Sequence, residues 1–133
     1  STAEPRPAGD TPVPGPRCGR LGGMEKFSLE ALANQLLKRA ATAGNGRAAE
    51  TVYGGHEHVL RQTLLALTEG TALAEHESPG EATVYVLRGR VRLTCGDVAW
   101  EGIGGDLLVV PRERHALEAA EDSVVLLTVA KTR

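Results

Sequence analysis

Aromatic side chains are nearly missing from this sequence. Its 133 residues include one Phe, two Tyr and one Trp, at Phe27, Tyr53, Tyr85 and Trp100. A platform that stacks nucleic-acid bases needs several rings on one surface, and four scattered rings do not make one. An excess of charge is missing too. Lys and Arg number 15 and Asp and Glu 17, a formal net charge of -2. That balance excludes a nucleic-acid partner held through phosphate contacts. No apolar run approaches the roughly 18 residues of a membrane-spanning helix, so no membrane partner is expected. Cysteine is scarce. Cys18 and Cys95 stand far apart with no CxxC or CxH pair, which argues against a thiolate zinc site. A Cys18–Cys95 bridge would have to pin a proline-rich tail, so none is expected, and the expected compartment is a reducing cytoplasm.

What is present falls into three parts. Residues 1–23 hold five of the seven prolines and five of the sixteen glycines. They carry too little apolar area to offset their ordering entropy, and they read as a disordered tail. They have no basic start followed by an apolar stretch, so they are not a secretory signal. Met24 stands where the composition turns ordinary, as a start preceded by an extension or as the end of a linker. Residues 24–50 read as a helix and linker, and 51–133 as one β-rich domain.

The helix is expected over 28–43. Ser28 suits the N-cap, and Phe27 and Leu32 suit a hydrophobic staple. Leu29, Leu32, Leu36 and Ala40 form a stripe at helical spacing. Gly44 suits a left-handed stop. After Gly46 short β-rich runs alternate with Gly, Pro and Asp. Strands are expected near 51–53, 58–68, 71–76, 82–87, 90–95, 97–100, 106–110, 115–119 and 123–130. Arg88-Gly89 and Gly96-Asp97 have the composition of tight hairpin turns. Many short strands with no helix between them indicate an all-β fold, a small antiparallel barrel or jelly roll, preceded by the one N-terminal helix.

The spacing of Gly, Pro and His in this β region resembles the cupin family. In the segment GTALAEHESPGEATVYVLRG, Gly70 is followed after five residues by His76, and six residues separate Ala82 from Gly89. In GDLLVVPRERHAL, Gly105 leads after five residues to Pro111, and His115 follows. Fifteen residues lie between Gly89 and Gly105, a short interval of the kind small cupins have. The resemblance covers about 51–130. It implies a divalent metal, such as zinc, iron, manganese or nickel, held by two histidines and a glutamate of the first motif and one histidine of the second. Here the first histidine position is His76, the second is Ser78, and the glutamate position is Ala82. The second-motif histidine is His115, one residue early. Two of four ligands remain, His76 and His115, whereas catalytic zinc sites usually keep three protein ligands.

Several residues bear on that shortfall. His56 and His58 share one strand face with Gln62 by period-two parity. They either supply missing ligands or lie in solvent at a rim or dimer contact. Glu81 follows the Ser-Pro-Gly turn, where parity is broken, and is a further donor to consider. Trp100 and Tyr85 line a pocket or fill the core or an interface. Arg90 and Arg92 share a face that greets an anion or pairs with acidic neighbours. Gly102-Ile103-Gly104-Gly105 precedes no helix, so it is not a phosphate cradle.

The functional expectation is a cupin domain binding a small molecule in its barrel, with a weak metal site at His76 and His115 and with Ser78, Gln62, His58 and Trp100 as ligand contacts. The alternative is a metal-dependent enzyme of oxygenase, isomerase or decarboxylase type with an altered ligand set. A homodimer is expected, with 51–53 and the helix as its natural elements.

Overall fold

In a computed structural model, described over residues 24–76 and 80–131 and for 74–76 by the backbone alone, one helix precedes nine strands. The tail 1–23, Cys18 and Ser78 lie outside the described residues. The helix is α1, Leu29–Thr42. The strands are β1 (Arg47–Gly54), β2 (Leu60–Leu67), β3 (Ala72–His76), β4 (Gly80–Arg88), β5 (Arg90–Cys95), β6 (Val98–Ile103), β7 (Leu107–Val110), β8 (His115–Ala119) and β9 (Ser123–Lys131). They form two antiparallel sheets, one in the order β1-β2-β9-β4-β7 and the other β3-β8-β5-β6. This is the expected jelly roll. Among the described residues no helix is long and apolar enough to cross a membrane.

Alternation builds the core. In β4 the residues Ala82, Val84 and Val86 are buried while Glu81 and Tyr85 are exposed. In β5, Val91 and Leu93 are buried between exposed Arg90 and Arg92. The inner residues of both sheets meet in one cluster that includes Leu65, Val86, Val91, Leu93, Leu117 and Val125. Strand β2 departs from alternation, because Leu64 through Leu67 are all buried. Leu65 and Leu67 point into the barrel, whereas Leu64 and Ala66 join Ala33, Leu36 and Ala40 of α1 in a second cluster. A continuous apolar run is what a strand covered on both faces needs.

Ser28 caps α1 as expected, its Oγ accepting from the Ala31 amide at 3.2 Å. The stop differs. Ala43 is the C-cap with an extended backbone, and the left-handed residue is Gly46 (φ 73°), not Gly44. Gly46 sits on Thr68, whose hydroxyl donates to its carbonyl at 3.1 Å. Strand β1 begins at Arg47, ahead of the expected 51. Its first residues, RAAE, belong to a largely exposed edge strand, which carries no hydrophobic alternation to read. The buried side of α1, Ala33, Leu36 and Ala40, packs on Leu64 and Ala66 of β2 and Val124 of β9 within the chain.

Where β4 turns into β5, Gly89 has φ 88° and lies against β9. A Cβ there would collide with Ser123 Oγ and the Asp122 carbonyl. Ser123 is fully buried. Its hydroxyl lies 2.7 Å from the Glu121 carbonyl and 3.1 Å from the Arg90 carbonyl, and it accepts from the Arg90 amide at 3.0 Å. This joins the start of β5 to the start of β9, hence one sheet to the other.

Three outcomes are expected in chemical denaturation. Ser123→Ala leaves the Arg90 amide without its acceptor and costs about 1–3 kcal/mol. Gly89→Ala forces a left-handed alanine into occupied space and costs at least about 2 kcal/mol. Leu36→Ala, fully buried between helix and sheet, loses about 2–5 kcal/mol. A loss under about 1 kcal/mol there would mean that the helix does not hold the sheet.

Candidate functional site

His115 opens β8 and is 5% exposed. Its Nδ1 lies 2.9 Å from the Glu113 carbonyl. A carbonyl only accepts, so Nδ1 donates in this hydrogen bond. A ring nitrogen tied to backbone in this way is common in histidine ligands. The antiparallel ladder of β3 and β8 places His76 directly opposite His115. The two histidines singled out from the sequence therefore occupy facing register positions.

The surroundings of His115 are apolar. A cavity of about 30 Å³ beside it is walled by Leu65, Leu73, Val84, Leu93, Leu117 and Val125, among others. That is room for about one water, far below the roughly 300–1,000 Å³ of a small-molecule site. Ala82 occupies the glutamate position of the first motif, is buried, and offers no donor. Among the described residues no group of three His, Cys, Asp or Glu side chains converges to hold a metal ion.

The sequence-based substitutes do not come to His115. His56 and His58 are exposed in the β1–β2 connection, where the His58 ring meets Tyr53 edge-on at 5.4 Å. Gln62 is on the outer face of its sheet and donates to the Thr128 hydroxyl at 3.2 Å. Glu81 is exposed and shares an outer groove with Arg112. Gln62 has the parity of Leu64 and Ala66, which face the helix side, the wrong side of the sheet for the barrel interior. His56 and His58 precede β2 in a turn, so strand parity does not place them. Arg90 and Arg92 pair with Glu101 at 3.2 and 3.7 Å, and Arg90 also with Glu121 at 3.6 Å, as a solvated charged face.

Trp100 is placed differently. In the β5–β6 ladder Leu93 pairs with Trp100 and Cys95 with Val98, so Trp100 and Val98 share the inner face with buried Leu93. Yet Trp100 is 66% exposed and Val98 56%. Strand β6 is the edge of one sheet and β7 the edge of the other, and the inner face of β6 is left open there. The result is a cleft of about 530 Å³ lined by Leu93, Cys95, Val98, Trp100, Leu108 and Pro111, with Leu107 and Val109 at its β7 side. Its walls are almost wholly apolar. Leu93 lines both this cleft and the small cavity at His115. Trp100 stands out in the sequence, whereas Cys95, Val98 and Leu108 do not, because the pairing that makes β6 and β7 edges leaves no local signal.

No family model matches the chain, and no curated protein matches it. Solved structures do. A conserved protein of unknown function from Streptococcus pyogenes is 28% identical, with a TM-score of 0.61 over 68% of this chain and 79% of its own. A cupin superfamily protein from Desulfitobacterium hafniense is 18% identical, with a TM-score of 0.62 over 70% and 87%. A salicylate 1,2-dioxygenase from Pseudaminobacter salicylatoxidans is 18% identical, with a TM-score of 0.63 over 75% of this chain and 33% of that enzyme.

Exposure separates the two walls of the cleft. Trp100→Ala is expected to change stability by less than about 0.5 kcal/mol, because the ring is largely in water already. Leu93→Ala removes a buried side chain shared by cleft and core and is expected to cost about 2–5 kcal/mol. Thermal melts of the two variants check the contrast.

Proposed function

We propose that this chain, which has the cupin jelly-roll fold, is a small-molecule-binding protein whose ligand lies in the cleft between β6 and β7. The observation that carries this reading is the cleft itself: about 530 Å³, apolar, and edged by the protein's one tryptophan. That volume lies within the range of small-ligand sites, and apolar lining with an aromatic wall is their usual character. The ligand class is a flat, mainly apolar molecule that stacks on Trp100 and covers Leu108. The site expected inside the barrel thus moves outward, to where the two sheets part. The protein works in a reducing cytoplasm, in keeping with Cys95 as a free thiol among the described residues.

A second reading, a metal-dependent enzyme of oxygenase, isomerase or decarboxylase type, draws on the facing register of His76 and His115 and on the tethered Nδ1 of His115. The described side chains do not complete a ligand set around that pair, so no reaction step is derived through a metal.

Because Trp100 is the sole tryptophan, it reports directly on the cleft. The dye 8-anilinonaphthalene-1-sulfonate is expected to quench Trp100 by energy transfer on binding, with a dissociation constant in the micromolar range, about 1–100 µM. Leu108→Arg is expected to weaken that binding at least about tenfold, a loss of about 1.4 kcal/mol. Undiminished transfer in Leu108→Arg, or none in the unmodified protein, would overturn the cleft as the site. Elemental analysis of protein purified without chelators or nickel decides the second reading. Metal below about a tenth of an equivalent is expected, whereas stoichiometric metal lost in His115→Ala would make the enzyme reading the better one.

A further inference from the structure

We infer that a second ligand site lies outside the barrel, in the groove where α1 begins, and that it takes an organic ammonium ion, a positive nitrogen on an apolar body. The groove shares no lining residue with the cleft, and the inference does not rest on a ligand there.

A break in strand parity builds the groove. The β1–β2 ladder pairs Thr51 with Thr63 and Tyr53 with Gln62, so Val52 is the extra residue of a β-bulge. Adjacent residues of a regular strand point to opposite faces, but one extra residue returns Tyr53 to the face of Val52. Both line the groove. Leu60 and Gln62 of β2 continue it on the helix side of the sheet. Phe27 and Leu29 form the facing wall, where the helix starts and its cover of the sheet stops. The space is about 590 Å³, within the range of small-molecule sites.

Charge selects the ligand. Among the described residues that line the groove, Glu25 carries the only charge. Phe27 is 45% exposed and Tyr53 40%, so both rings keep surface for a ligand. The edge-on contact of His58 occupies at most one face of the Tyr53 ring. Gln62 donates its amide N–H to the Thr128 hydroxyl, which leaves its side-chain oxygen to accept. A carboxylate, an amide oxygen and the negative faces of two rings all attract a cation. The partial positive charge at the start of α1 is offset by the Ser28 cap and by Glu30 in the first turn. An anion of the same size would meet Glu25 with no basic side chain in the lining to balance it.

The test is a nuclear magnetic resonance titration of the full chain with three probes that share one body: 2-phenylethylammonium, neutral 2-phenylethanol and anionic 3-phenylpropionate. The ammonium is expected to shift the signals of Tyr53, Gln62 and Leu126 with a dissociation constant of about 0.1–1 mM. The alcohol is expected to bind there at least about tenfold more weakly, and the carboxylate more weakly still. Glu25→Gln leaves the apolar walls in place. It is expected to weaken the ammonium at least about threefold and to leave the alcohol unchanged, a split that a merely structural change would not produce. Leu60→Arg brings a positive charge into the groove. It is expected to abolish the ammonium shifts, with the far-ultraviolet spectrum and dye transfer to Trp100 unchanged. Ammonium that leaves the Tyr53 signals in place, or three probes of equal affinity at Tyr53, overturns the inference. So does a Glu25→Gln variant that binds the ammonium as tightly as the unmodified chain, or a folded Leu60→Arg variant that still binds it.

Discussion

The structure depends on one constraint: the middle of the five-stranded sheet is buried on both faces. Leu64 to Leu67 of β2 and Val124 to Val125 of β9 alternate between two hydrophobic clusters, one inside the barrel and one under α1. One strand supplies both clusters, so burial on each face adds to the stability of the same strand. The helix is therefore part of the barrel's stability rather than an appendage, even though it lies outside the motifs that identify the fold. The serine knot at Ser123 works at the same place, since it ties the start of β9 to the start of β5 and so closes one sheet on the other.

That packing also determines where a ligand has room. Apolar residues fill the barrel around His115, leaving about 30 Å³. With Ala82 in the glutamate position, the interior on that side is a hydrocarbon wall. Between the two sheets, open space lies where edge strands β6 and β7 separate, and there the inward residues Val98 and Trp100 are left exposed. The same edge carries the apolar surface outward, since Val109 lines both the cleft and the outer groove. One short strand, Leu107–Val110, thus borders the proposed ligand cleft on one side and the outer groove on the other.

Much of this was legible in the sequence. The nine strands, the capped helix, the Gly96-Asp97 hairpin turn and the Gly-Pro-His framework all rest on local patterns: period-two alternation, turn composition and fixed motif spacing. Arg88-Gly89 has hairpin composition too, but β4 and β5 lie in different sheets, so the chain crosses from one sheet to the other there. The errors fall where local pattern is weak or parity is ambiguous. Strand β1 began early because an exposed edge strand needs no alternation. Gly46 rather than Gly44 is left-handed because of Thr68, a contact 22 residues away. His56 and His58 fall in the turn before β2, where parity has no meaning, and for Gln62 parity does not say which face is inside. Only the burial of Leu64 against the helix decides that.

By itself the sequence determined the fold class and, through the resemblance it carries, pointed to His76 and His115 as a pair and to Ser78 and Ala82 at the two other ligand positions that the resemblance implies. Those follow from residue identity and spacing, which act over a few residues along the chain. The tertiary structure decided which strands are edges, which sheet face is left uncovered, and that the open volume lies at Trp100 rather than at the histidines. Such properties arise from pairing between segments distant in sequence, and from how completely side chains fill the space between two sheets.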